Sequence, residues 1–373
     1  MMTPEDDDPQ KDSTIAPPVL WDPRPFEFTE RAIPVDRTKL AIPIAFEPFP
    51  AHPTDAIALD DAGALHRLNL ATGETRRLRT LTREELRWDQ PVQIVISRDG
   101  CYAALTSAGT IESGDSYNRG VVVDLESGRT AMALDCGDYR THHALFAVAF
   151  VEREGRTLVI HATDWNRVDV TDPSTGECLT SRKLDSEDSP GPASEESVFT
   201  EWLGELKVSP DQSRVATIGW VWHPVGLAFG WSVRDWLDSN PHEPDHGRSK
   251  RQYAMWSYFW FSPFFWYDDS TLCIWGDPEL SGADDVPPNS VVLYDAESGK
   301  ALRSIPGPSM NGFHFDRYLF TEDEEKGLSV WDLERGALVH EEPGIQARGY
   351  HPGLAEFIET SVDGWVGWSW REL

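Results

Sequence analysis

Basic residues are scarce in this sequence. Its 373 residues include 33 Lys and Arg against 63 Asp and Glu, a formal net charge of −30. Phosphate backbones and anionic lipid require clustered Lys and Arg, so this balance argues against nucleic acid or a membrane surface as partner. A basic partner, a cation and plain solvation of the surface are all compatible with it. Cysteine is sparse too. Cys101, Cys136, Cys178 and Cys273 stand far apart with no Cys-x-x-Cys pair. That spacing argues against a disulfide framework or a zinc knuckle and predicts reduced thiols. The first fourteen residues are polar and acidic, without an apolar signal-peptide core. The most apolar window, Ala254 to Tyr267, is too short for a bilayer and is interrupted by Ser257 and Pro263. These absences predict a soluble, cytoplasmic protein, expected to act as a monomer.

Catalytic signatures are also missing. There is no GxSxG elbow, no HExxH and no GxxxxGK[ST] loop, the marks of common hydrolases, zinc proteases and phosphate-binding loops. His242-Glu243-Pro244-Asp245-His246 gathers two imidazoles and two carboxylates, but Pro244 is expected to prevent a helical ligand face, and no metal is assigned there. His142, His143 and His161 read as structural histidines. Cys136 beside Asp138 and His142 has the residue types of a nucleophile and base without a specific spacing, so no activity is expected there. No catalytic residue, metal ligand or cofactor is assigned from the sequence.

What the chain has is rings and turns. It carries 16 Trp, with 28 Gly and 27 Pro spread in short clusters. Large rings suit the faces of packed strands, and scattered Gly and Pro suit many reversals. One phrase recurs: a β-rich run, an Asp, then a Gly four residues on. It reads Val121-Val122-Val123-Asp124-Leu125-Glu126-Ser127-Gly128, then Val291 to Gly299 around Asp295, then Leu328-Ser329-Val330-Trp331-Asp332-Leu333-Glu334-Arg335-Gly336. Weaker copies end at Asn69…Gly73 and Asp172…Gly176. Trp231 to Trp236 fits the strand but has Ser239 at the glycine position. Gly364 to Trp370 reads as a seventh such strand. Alternating apolar residues mark the strand, Asp bonds its own backbone in the turn, and Gly accepts positive φ.

A second phrase, strand–polar turn–strand, precedes several copies: Ile96 to Leu105 around Asp99-Gly100, Val208 to Thr217 around Pro210-Asp211, and Trp266 to Trp275 around Asp268-Asp269. Each unit therefore reads as three strands. The segments after each glycine add a fourth: Thr75–Leu81, Thr130–Leu134, Cys178–Leu184, Ala301–Ile305 and Ala337–His340.

These phrases resemble the WD-repeat β-propeller family and its bacterial relatives, over nearly the whole chain from about Phe26 onward. Only Trp331-Asp332 reproduces the Trp-Asp dipeptide, and the opening Gly-His dipeptide is absent. The resemblance implies an all-β chain, a seven-bladed propeller of four-stranded antiparallel blades. Eight blades would require a degenerate unit hidden in a long interval. Residues 1–20 are expected to be a disordered acidic tail and 21–373 a single propeller domain. The last strand lacks a partner that Phe26 to Val35 can supply, closing the ring and removing open sheet edges.

The resemblance also implies that loops joining second and third strands share a face with those between blades. Ser107–Arg119, Trp220–Phe229 and Gly276–Asn289 are expected within blades, and Asp185–Glu201 and Asn240–Trp256 between them. That face would carry acids (Asp185, Glu187, Asp188, Glu195, Glu196, Asp277, Glu279, Asp284, Asp285 and Glu322 to Glu325) and many of the aromatic residues between Trp220 and Tyr267. Most of these rings are expected to pack between blades, with Trp222 and Tyr253 as surface members. Trp222, His223, Tyr253, Trp256, Asp284 and Asp285 form the candidate binding set. The resemblance implies a non-catalytic scaffold for a protein or peptide partner, basic by charge complementarity. The alternative is a propeller hydrolase or lyase using acids or histidines at the channel mouth.

Overall fold

A computed structural model describes residues 19–40, 43–110, 116–137, 144–182, 201–277, 289–323, 325–346, 349–361 and 363–373. Two short strands open it, β1 (Leu20–Trp21) and β2 (Phe26–Ile33). Blade one follows as β3 (Pro43–Pro48), β4 (Asp55–Asp60), β5 (Ala64–Asn69) and β6 (Thr75–Thr80). Blade two is β7 (Val92–Ile96), β8 (Tyr102–Thr110), β9 (Ser116–Asp124) and β10 (Thr130–Asp135). Blade three is β11 (Val148–Arg153), β12 (Arg156–Asp164), β13 (Arg167–Asp172) and β14 (Glu177–Cys178). Blade four is β15 (Leu206–Val208), β16 (Arg214–Trp222), β17 (Val225–Ser232) and β18 (Arg251–Ser257). Blade five is β19 (Phe264–Trp266), β20 (Thr271–Gly276), β21 (Ser290–Asp295) and β22 (Ala301–Pro306). Blade six is β23 (Asn311–Phe315), β24 (Leu319–Asp323), β25 (Gly327–Asp332) and β26 (Ala337–Glu342). Blade seven is β27 (Tyr350–His351), β28 (Glu356–Thr360) and β29 (Trp365–Glu372), completed by β2. The blades are antiparallel throughout and number seven.

Closure is as expected. β2 pairs antiparallel with β29 along eight positions, from Phe26 opposite Glu372 to Ile33 opposite Trp365. Leu20 and Trp21 pair parallel with Ala337 and Leu338 at the outer edge of blade six.

The Asp–Gly phrase works as its chemistry predicts. In blade two the Asp124 carboxylate accepts the Ser127 N–H (2.7 Å), and the Gly128 N–H donates to the Asp124 carbonyl (2.8 Å). The same pair of bonds recurs at Asp295 with Ser298 and Gly299, at Asp332 with Arg335 and Gly336, and at Asn69 with Thr72 and Gly73. Gly73 shows why glycine is needed: its φ is +75°, and a Cβ there would lie 1.7 Å from the Pro34 carbonyl oxygen.

These turns also orient the blades. The N–H after each marker, at Leu70, Leu125 and Ala296, donates to the turn between the first two strands of its own blade, at Thr54, Cys101 and Ser270. Turns one–two and three–four therefore share one face. On the other face, Tyr258 N–H donates to Pro224 O, Leu81 N–H to Gly63 O and Gly307 N–H to Asn289 O. These bonds tie the connections that follow blades one, four and five to the preceding turn between second and third strands.

Blade four departs from the repeat. The run Trp231 to Trp236 is not a strand end: β17 stops at Ser232, whose side chain accepts the Asp235 N–H (3.1 Å) and caps helix α1 (Val233–Asp238). A Ser cap with an acid in the first turn starts a helix where the other units turn. A second short helix, α2 (Glu243–His246), follows, with Pro244 in its first turn, where a missing N–H costs nothing. Pro244 therefore begins a helix here rather than preventing one. The segment Asn240–Trp256 accordingly does not run between blades. It is an insertion between third and fourth strands, on the face opposite the expected one, and its end is strand β18. The fourth strand of blade three is also shorter than expected, Glu177–Cys178 instead of Cys178–Leu184, and residues 183–184 lie outside the described residues.

Apolar clusters fill the seams between blades. Val122 and Leu134 of blade two, Phe150 and Leu158 of blade three, and Phe229 and Trp231 of blade four belong to one continuous cluster. Trp256, Phe264 and Trp266 join blade four to blade five in another. Burial of this kind stabilises by about 25 cal/mol per Å² of apolar surface, and it is where most of the tryptophans are spent.

Candidate functional site

The candidate residues separate by burial. Trp222 and His223 sit at the β16–β17 turn and are exposed, Trp222 by 60 % of its surface. Tyr253, expected at the surface, is instead buried (7 %), as is Trp256 (8 %). Both stand in β18, a strand where the sequence predicts a loop, and a register shift at Tyr253 buries it together with its neighbour Ala254. Its hydroxyl donates to the Ala296 carbonyl (3.4 Å), and burial pushes its pKa up to about 12. Asp284 and Asp285 lie outside the described residues, as do Asp185, Glu187, Asp188, Glu195, Glu196, Glu279, Glu324, Asp138, His142 and His143.

Around Trp222 the structure assembles a surface that the sequence reading only partly named. The connection from β18 to β19 brings Tyr258 (50 % exposed) and Phe261 (51 %) beside the hairpin. The His223 ring meets Tyr258 edge-on, centroids 4.8 Å apart, and Tyr258 lies 5.6 Å from Trp260. The backbone bond from Tyr258 N–H to Pro224 O (2.8 Å) fixes the connection to the hairpin. Deeper on the same face, Trp165, Trp202 and Trp220 pack in series with centroids 4.2 and 4.4 Å apart. The exposed His223 and Tyr258 rings, held by each other and by that backbone bond, are pre-formed for contact, and such surfaces bind with little ordering cost.

This surface runs to the mouth of the central channel. A cavity of about 530 Å³ there is lined by Phe261, Leu145, Phe146 and Pro91, with Glu205 at its floor. Inside, Glu47 of β3 and Lys207 of β15 come from blades one and four, on opposite sides of the ring. Together they divide the channel. A compartment of about 750 Å³ is walled by the inner strands β3, β7, β11 and β15. A second, of about 650 Å³, is walled by β3, β15, β19, β23 and β27, and both contain Glu47, Glu205 and Lys207.

The Lys207 ammonium pairs with Glu205 at 2.8 Å. Burial works against its charge, but Glu205, and Glu47 beyond it, outweigh that and raise its pKa. Glu47 has no hydrogen-bond or ion-pair partner among the described residues. Burial is the main cause that pushes its carboxyl up to about 7; Lys207 pulls it down and Glu205 adds to the rise. No signal of this cluster was drawn from the sequence. The available one was the charged residues Glu47 and Lys207 inside otherwise apolar first strands.

Glu243, Asp245 and His161 are used structurally. Glu243 is buried and accepts from Ser249 N–H (2.6 Å) and Asn240 Nδ2 (3.0 Å), while Asp245 pairs with Arg182 (3.1 Å). The His242-to-His246 motif is thus tied into the insertion. His161 is buried, with Nε2 3.0 Å from the Thr171 hydroxyl, and burial lowers its pKa. Cys136 is a free buried thiol pushed up to about 12 by burial, and Cys101, exposed, is raised to about 11 by desolvation and then by Asp99. Among the described residues no group of three His, Cys, Asp or Glu is placed to hold a metal ion, and no helix is long and apolar enough to cross a membrane. The chain matches no protein-family model and no curated protein sequence.

Proposed function

We propose that this protein is a non-catalytic binding module, a divergent WD-repeat-type propeller that docks a protein or peptide on the loop face of blades four and five. One observation carries the reading: Trp222, Tyr258 and Phe261 are each at least half exposed on one face, with Tyr258 fixed to the hairpin by the His223 ring and the Pro224 carbonyl. Large rings held out to solvent cost solubility and are the side chains that anchor interfaces. The chain's net charge of −30 favours a basic partner and speeds its approach. Free thiols at all four cysteines fit a reducing compartment, and we place the protein in the cytoplasm, acting as a monomer.

The propeller-hydrolase or lyase reading would call on Glu47 and Glu205 in the channel. Lys207 already holds Glu205, which leaves one free carboxylate where glycoside hydrolysis uses two. Affinity capture from the native host with the full chain, beside the double variant Trp222→Ala/Tyr258→Ala, tests the proposal. The expected result is a partner captured by the wild type and lost by the variant at unchanged melting temperature. Equal capture by both would overturn the assignment of this face.

A further inference from the structure

The channel cluster lies apart from the aromatic face and asks for a ligand of its own. Among the described residues Glu47 is a half-buried carboxylate without a partner, on the inner strand β3 that lines the channel. Lys207 offers no compensation at contact range, since its ion pair is made with Glu205. With Glu47 ionised, the cluster carries one unbalanced negative charge. Even half-buried, such a charge is partly desolvated, and a cation that meets it offsets that cost. Beside it the larger-ringed compartment presents an apolar wall: Phe265 stacks on Phe315 at 4.5 Å and meets Phe313 at 5.5 Å, with Phe46 next to Glu47 on β3. A volume of about 650 Å³ suits a small molecule.

We propose that the channel binds a small monocationic amine with an apolar body, its ammonium on the Glu47 carboxylate and its apolar part against Phe46, Phe265 and Phe315. The ammonium restores charge balance, and aromatic faces favour both a cation and a ring. An anion is disfavoured because Glu205 occupies Lys207. A zwitterion is disfavoured for the same reason, since its carboxylate would have to displace Glu205.

Calorimetric titration of the full chain with 2-phenylethylamine near pH 8 tests this, with phenylalanine and phenylacetate as the zwitterionic and anionic arms. The expected result is saturable binding of one amine per chain, weakened about tenfold or more by Glu47→Gln, with phenylalanine and phenylacetate weaker still. Lys207→Gln is expected to preserve or strengthen amine binding. Binding should tighten as pH rises through about 7, where Glu47 ionises, and this dependence should vanish in Glu47→Gln. That comparison separates Glu47 from Lys207 and Glu205 of β15, His52 of the β3–β4 turn, His314 of β23 and His351 of β27, which also line the compartment. No saturable heat, an unaffected Glu47→Gln variant, or tighter binding of phenylacetate that Lys207→Gln abolishes would each overturn the proposal. Trp222→Ala/Tyr258→Ala should leave amine binding unchanged, so failure here and failure of the docking face are read separately.

Discussion

Arg182 and Asp169 form an enclosed ion pair, 2.9 Å apart, with only 4 % and 2 % of their side chains exposed. Asp169 also accepts from Arg167 (2.7 Å), Thr163 (2.6 Å) and Thr180 (3.0 Å), and Arg182 continues to Asp245 of α2. This network fastens the end of blade three to the insertion of blade four. Asp169→Ala would strand two guanidinium groups with only partial compensation. A loss of about 3–5 kcal/mol is expected, read as a lower denaturation midpoint with an unchanged far-ultraviolet spectrum at low denaturant. A loss below about 1 kcal/mol would show that the network is not a structural tie.

Removal of Phe26–Ile33 strips blade seven of its outer strand and leaves β29 unpaired along eight positions. Such a chain is expected to lose cooperative unfolding and to be cut quickly by protease near β27 to β29. A chain starting at Val19 should melt as the full chain does, because the first described pairing begins at Leu20. Normal melting of the chain lacking Phe26–Ile33 would contradict the ring closure.

Tyr253 and Trp222 should respond in opposite ways. Tyr253→Ala removes a buried ring between blades four and five and is expected to cost about 3–5 kcal/mol. Trp222→Ala, at a 60 % exposed ring, should stay within about 0.5 kcal/mol. Chemical denaturation of the two single variants checks both values.

Glu47 makes stability pH-dependent in a defined direction. Its folded pKa, about 7, exceeds the ordinary 4.5, so the folded state binds the proton more tightly. Its cost to folding is absent below pH 4.5, grows as pH rises between the two values, and is complete above about 7. Glu47→Gln removes that cost. The melting temperature of the variant minus that of the wild type is therefore expected to increase from pH 5 to pH 8, and a constant difference would sink the assignment.

Much of this fold was legible because its signals are local. An Asp carboxylate that bonds a nearby N–H and a Gly at positive φ act within five residues, so Asp124–Gly128 and Asp295–Gly299 can be read from the chain alone. Closure was legible through a shortage, one strand missing at the end and one spare at the start. The insertion in blade four was not, because Ser232 followed by Asp235 caps a helix in the same composition that elsewhere ends a strand. That misreading hid β18 and put Tyr253 at the surface. Glu47 was illegible for another reason: nothing in Phe46-Glu47-Pro48 says that it faces Lys207, which is distant in sequence and meets it only once the ring is closed. Tyr258 and Phe261 stand among many rings, and only their exposure in the folded chain separates them from the core set.

The pairing of β2 with β29 also sets a schedule for biosynthesis. β2 leaves the ribosome before six whole blades, and its partner β29 only after them. Over that interval its ladder of N–H and C=O groups stays open, while six blades assemble behind it. An unpaired edge for that long invites pairing with another nascent chain. Glu27, Glu30 and Arg31 on this strand put charge along the edge, which keeps neighbours away until Trp365 to Glu372 arrives.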